Sequence, residues 1–429
     1  LKKILISLSV IFGLTPAFAQ DDFFDYYESK TLKYENDVYL PFIKSVRLFP
    51  TGSPQAHPIV KLGAKPLQLL FDDLTAVFQN YSYTIVHCNA DWTPSDLLKA
   101  EYIDGFQDYF IDRHEFAFNT FVPYVSYRLT IPNQHMRITK SGNYLLIVYE
   151  DNNPEHLVLT RRFMVYEEFV NVGVEPKRAT LAALMDTHQE INFTINHSGY
   201  TIPDPERDLK VSVLQNGRWD NAIMNLRPQF IGNNQLIYNY DQENTFAGGM
   251  EFRFFDTKSF QTLTMNVRNI KQDSVWVVYL VPMARRNTQR YSVQPDINGK
   301  YVIRRSFSQN PEIEADYCWV DFLLLSDEIF QNESVYVFGG LSDWQIRPEF
   351  QLKFNYKLKG YQGKILLKQG YYDFKYVLVP DGTKRADEGA IEGDHWETEN
   401  DYHILVYNRE IGIRYDRLIG FAQVNYQGL

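Results

Sequence analysis

The chain has 429 residues, 45% of them hydrophobic, with 43 basic against 53 acidic side chains and a formal net charge of −10. That balance excludes nucleic acid as a partner, because phosphate binding needs a basic face, and two cysteines are too few for a disulfide framework. Thirty Phe and thirty Tyr, alternating with polar residues and broken by Asn, Asp, Gly and Pro, predict an all-β fold of tandem immunoglobulin-like β-sandwiches.

Residues 1–19 have a basic start, a short apolar stretch and an A-x-A ending, the pattern of a signal peptide cut between Ala19 and Gln20. Taking away Lys2 and Lys3 leaves 41 basic residues and a net charge of about −12, which reads as a solvated surface. No later apolar run reaches the ~18 residues a spanning helix needs. The longest, VWVVYLV at 275–281, is strand length.

Residues 20–168 are expected to form the first sandwich, after an acidic aromatic opening (DDFFDYYESKTLKYEND). Period-two alternation predicts strands over 43–49, 67–74, 81–88, 124–131, 144–150 and 162–167, with turn residues between them. The pattern restarts near residue 169, and strands at 191–195, 209–215, 235–240, 251–255 and 275–281 predict a middle sandwich over 169–297. Asn298-Gly299 is a tight-turn pair. A third sandwich is expected over 298–429, with strands at 318–325, 335–338, 363–367, 372–379 and 402–407.

The stretch IVHCNADWTPSDL (85–97) concentrates groups that could do chemistry. Alternation along the strand puts His87 and Cys88 on opposite faces, so they are not expected to act as a base–nucleophile pair. Thr93-Pro94-Ser95-Asp96 has the form of a helix start, with Leu97 to Asp104 as a short helix stopped by Gly105. Asn89 and Asp91 then read as turn residues and Trp92 as an apolar lid on the sandwich edge. Cys88 and Cys318 read as two buried thiols.

His114-Glu115 lacks the second His of a zinc helix, and no C-x-x-C, phosphate loop or G-x-S-x-G elbow occurs in the sequence. His395, Glu397 and Glu399 would share a strand face and make the best metal candidate, but an exposed acidic edge is the preferred reading. No catalytic residue, metal ligand or cofactor site is therefore assigned.

Several ordered stretches resemble the first domain of the type IX secretion system plug proteins: LLFDDL (69–74), YSYTIVHCNADWTPSDL (81–97), EYIDGF (101–106), YRLTIPN (127–133) and SGNYLLIVYE (141–150). FGGLSDW, IEGDHWETENDYHILVYN and RYDRLIG resemble later parts of the same family. The resemblance implies a non-enzymatic periplasmic protein that occludes the periplasmic mouth of a giant outer-membrane β-barrel translocon. That translocon would be its partner and hold it at the outer membrane, with no small-molecule ligand or cofactor. VYVFGGLSDW (335–344) and LLKQGYYDFKYVLVPDG (366–382) also resemble early-set immunoglobulin-like glycan-binding modules, in which Trp344 would match the first sugar platform. The second platform is missing, since Thr383-Lys384-Arg385 follow the Asp-Gly turn. An envelope carbohydrate-binding protein is the alternative this implies.

Overall fold

The computed structural model describes residues 30–428, and the expected cleavage point at Ala19 and Gln20 lies outside them. Among the described residues the chain is nearly all β, with four one-turn helices and two 3-10 turns.

The first sandwich has two sheets. One runs Asp37–Val38, Leu157–Tyr166, Gly142–Glu150, Tyr81–Cys88 and Asp108–Phe110, with Ile59–Lys61 parallel to Leu157–Tyr166. The other runs Ile43–Pro50, Leu67–Asp73, Val125–Ile131 and Arg113–Phe116. Phe71, Tyr81, Tyr83, Tyr127 and Tyr144 fill the space between them, with Phe71 stacked on Tyr127 at 5.1 Å. The core accommodates tyrosines because their hydroxyls find partners at its margin. Tyr81 donates to Asp73 Oδ2 at 2.8 Å and Tyr127 to the Gln79 carbonyl at 3.0 Å.

In the middle sandwich, Asn171–Arg178, His188–Asn196, Gln235–Tyr238 and Phe230–Ile231 form one sheet. The facing sheet is Ile223–Leu226, Leu209–Gln215, Asn400–Asn408 and Arg417–Tyr426. The third sandwich is one ten-stranded sheet curled around Phe255, Phe322, Tyr372 and Phe374.

These sheets do not follow the boundary expected at 297/298. Arg253–Asp256 and Trp276–Leu280 pair into the third sandwich, whereas Asn400–Asn408 and Arg417–Tyr426 complete the middle one. The third module is thus inserted into the middle one. Pairing partners of a strand are chosen by register and by what covers each face, neither of which is written in its own alternation. Asn298 and Gly299 do make the expected turn, at φ 54° and 77°, but inside the third module.

Two joints weld the first sandwich to the other two. The first sandwich presents the outer face of its Tyr81–Cys88 sheet to the middle one. There Cys88, Leu145 and Tyr149 share a buried apolar cluster with Leu214, Leu405, Tyr407 and Leu418. Both faces of Gly142–Glu150 are therefore covered, which explains why its first eight residues are buried.

The first and third sandwiches meet through polar groups instead. Lys368 pairs with Asp72 at 2.5 Å, and Arg47 pairs with Glu312. Tyr317 donates to Asp72 Oδ2 at 2.7 Å, and Tyr124 donates to the Ala315 carbonyl at 2.7 Å.

Candidate functional site

The HCNADW stretch is a joint, and its geometry removes it from chemistry. His87 lies among the rings of Tyr102, Tyr144 and Tyr415. Its Nε2 sits 3.1 Å from the Ser141 carbonyl and so donates; Nδ1, 3.0 Å from Ser95 Oγ, is left to accept. Burial pulls the imidazole down to about 4, so it is neutral at pH 7. Gly142 is required beside it: φ is 143° and a Cβ would lie 2.4 Å from the His87 ring. Cys88 points the other way into the apolar joint, and burial pushes its thiol up to about 12. Cys318 is buried in the third core, and both cysteines are free.

The helix expected from Thr93 starts later. Asp91 Oδ1 accepts from the Thr93 N–H at 3.0 Å and from its hydroxyl, and Pro94 bridges back to Cys88. That turn keeps 93–96 extended, so the helix spans only Lys99–Tyr102 and a strand, Ile103–Gly105, follows at once. Trp92 reaches the middle sandwich, edge-on to Trp219 at 5.0 Å with the Arg162 guanidinium 4.3 Å over its ring. The Ala90 N–H donates to Asp416 Oδ2 at 2.9 Å, and Arg409 reaches Asn89 Oδ1. HCNADW and RYDRLIG therefore meet in space, with Ala90 and Asp416 326 residues apart in the chain.

His395, Glu397 and Glu399 share no strand face, because the strand begins at Asn400 and the three lie in the turn before it. The His395 and Glu399 N–H groups donate to Gly249 O and Glu251 Oε1. No group of three or more His, Cys, Asp or Glu placed to hold a metal occurs among the described residues. Trp344, at φ 57°, is wedged edge-to-face against Phe338 and Phe252, with the Arg218 guanidinium 4.5 Å over its ring. Those contacts occupy the faces that a sugar platform would leave open.

What the first sandwich does expose is an aromatic edge. Asp108–Phe110 and Arg113–Phe116 are the outermost strands of its two sheets and lie on the same side. They display Phe110 and Phe116 to solvent, with Phe106, just before the first strand, and Val77 and Phe78 also exposed. Tyr109 stacks between Phe110 at 4.4 Å and His135 at 4.2 Å, and Phe78 lies 4.4 Å from His114. Unpaired strand edges carrying large rings are what proteins ordinarily blunt or cover. The charges of FQDYFIDRHEF (Asp108, Asp112, Arg113 and Glu115), against none in YSYTIVHC, mark the segment as less buried, but its aromatic content alone does not separate these rings from the core ones.

Interdomain clefts are also present. One of about 340 Å³ runs between the first and third sandwiches beside Lys44 and Trp319. One of about 1150 Å³ runs between the middle and third sandwiches, where Arg218 and Lys375 both pair with Glu388. Glu388 thus neutralises Arg218 and Lys375 within the larger cleft, while Lys384 and Arg385 line its outer part.

Residues 43–167, within the first sandwich, match the type 9 secretion system plug protein 1st domain. A crystal structure of a hypothetical protein from Parabacteroides merdae ATCC 43184 superimposes with a TM-score of 0.88 at 35% sequence identity. The match covers 92% of this chain and 100% of that one. No curated protein matches the chain.

Proposed function

The chain belongs to the type IX secretion system plug family, and on that premise we propose that it acts as a non-enzymatic stopper at the periplasmic mouth of the system's outer-membrane β-barrel translocon. The observation that carries this reading is the coincidence of the family-matched region with the exposed aromatic edge. A stopper works by shape, so it needs a body that does not flex and a surface that can be released. The apolar and ionic joints supply the first. Phe106, Phe110 and Phe116, separated by Asp108, Asp112 and Glu115, suit the second: aromatic anchors among polar groups. None of the helices among the described residues is long and apolar enough to cross a membrane.

A tagged copy recovered from detergent-solubilised envelopes should bring down one giant barrel. Replacing Phe110 and Phe116 by Asp should lower that recovery at least roughly tenfold while leaving the melting temperature unchanged. Recovery of soluble proteins alone would overturn the assignment.

A further inference from the structure

A second exposed apolar patch lies where the first and third sandwiches adjoin, and its chemistry differs from that of the aromatic edge. The loop between Arg253–Asp256 and Val267–Lys271 displays Leu263 and Met265, and the loop after Tyr301–Ile303 displays Phe307, which is 107% exposed. The two loops are tied together by the Ser306 N–H donating to Lys258 O at 2.9 Å. Phe118 and Phe121 of the first sandwich extend the same surface. Phe121 packs on Trp276, which stacks on Phe260, and Arg305 Nη1 reaches the Asn119 carbonyl at 3.5 Å. Phe307 also sits at φ 61°. A bulky ring held in the left-handed region and given no protein contact is a strained display that nothing in the fold uses.

The two loops themselves are basic in an acidic chain, although Asp316, which accepts from the Phe121 N–H, borders the patch. Between 257 and 272 there are three basic residues, Lys258, Arg268 and Lys271, and no acidic one; 304–310 adds Arg304 and Arg305 and again no acid. Asp256 accounts for Arg304 at 2.7 Å and for Lys258 at 3.7 Å. Arg268 and Lys271 lean over the Tyr279 ring at 5.9 and 5.5 Å, and neither has a carboxylate partner among the described residues. Among the described residues Arg305 is held by the Asn119 and Glu314 carbonyls. A chain of net charge −10 has thus gathered cations around apolar side chains on protruding loops. Apolar tips that enter the acyl boundary, with Lys and Arg at headgroup level, are the arrangement that holds a protein on an anionic bilayer.

We propose that the Leu263, Met265 and Phe307 loops rest on an anionic phospholipid surface, with Arg268, Lys271 and Arg305 taking the headgroups. This contact is independent of the translocon reading. If both hold, the body touches barrel through the aromatic edge and lipid through these loops.

The test uses the full mature chain and sedimentation with large unilamellar vesicles of phosphatidylethanolamine and phosphatidylglycerol (3:1), against phosphatidylcholine alone. Binding is expected to the anionic vesicles, to weaken several-fold when salt rises from 50 to about 300 mM, and to be negligible on phosphatidylcholine. The Leu263→Ser, Phe307→Ser double variant and the Arg268→Glu, Lys271→Glu double variant should each lower it roughly tenfold or more. Phe110→Asp, on the other surface, should leave it unchanged. Near-ultraviolet circular dichroism confirms that each variant is folded. Absence of vesicle binding, or binding that both double variants retain, would overturn the proposal. So would loss of barrel recovery in the Leu263→Ser, Phe307→Ser variant with vesicle binding intact, which would make the patch a protein contact.

Discussion

The two joints of the first sandwich solve one problem with opposite chemistry. Against the middle sandwich it buries Cys88, Leu145 and Tyr149 on Leu214, Leu405 and Tyr407, a contact that behaves as a second core. Against the third it buries charges, with Lys368 and Asp72 1% and 2% exposed. An apolar joint tolerates the loss of one member by degrees, because each contact adds area. An ionic one fails when any member is removed, because the survivor is left charged and desolvated. The first joint therefore sets how strongly the modules hold, and the second sets their mutual angle.

The largest test of that contrast is Lys368→Ala, which strands Asp72 and should cost about 3–5 kcal/mol in denaturant unfolding. The paired change Asp72→Leu with Lys368→Met should restore most of the loss, and if it does not, the ionic account is wrong. Leu405→Ala, in the apolar joint, should cost about 2–4 kcal/mol through the cavity it leaves, with no partner substitution able to rescue it.

A subtler separation comes from pH, at the contact between middle and third sandwiches. Burial pushes the Glu388 carboxyl up, but Arg218 and Lys375 outweigh it and hold the group down at about 2. Its contribution is present above the ordinary carboxylate range and is lost as pH falls toward 2. Asp373 is the reverse: burial, then the neighbouring Asp296, raise it to about 8. It favours the folded state below about pH 4, and that advantage is lost as pH rises toward 8. Melting curves across pH 2–9 should show Glu388→Gln flattening the acid limb and Asp373→Asn the upper one. The smallest effect belongs to the exposed Arg137–Asp104 pair. Arg137→Ala should move the melting temperature by no more than about one degree.

Sequence periodicity sufficed where a strand has one wet face or a clear alternation. Tyr81–Cys88 falls where 81–88 was expected, and His87 and Cys88 do point into separate clusters. It failed where the decisive partner is remote. Asn400–Asn408 is buried along its whole length between two cores, and nothing in NDYHILVYN says that Leu209–Gln215, nearly two hundred residues earlier, lies beside it. Thr93 has the chemistry of a helix cap, but Asp91 two residues earlier captures its N–H first. Phe110 and Tyr83 are both rings in alternating segments, and the Asp108 and Asp112 that flank Phe110 are the local signal that it lies at the surface. The meeting of HCNADW with RYDRLIG was invisible because the partner is remote, though both stretches stood out as family signatures.

The insertion of one module inside another fixes an order of events. As the chain is synthesised, residues 171–247 appear early with half of their second sheet absent. Their apolar faces must wait until Asn400–Asn408 arrives, after an entire intervening module has been delivered. Maturation is therefore closed by the C-terminal stretch, like a clasp fastened last, and a nascent chain stalled short of residue 400 would present sticky half-sheets to holding chaperones rather than a smaller working copy.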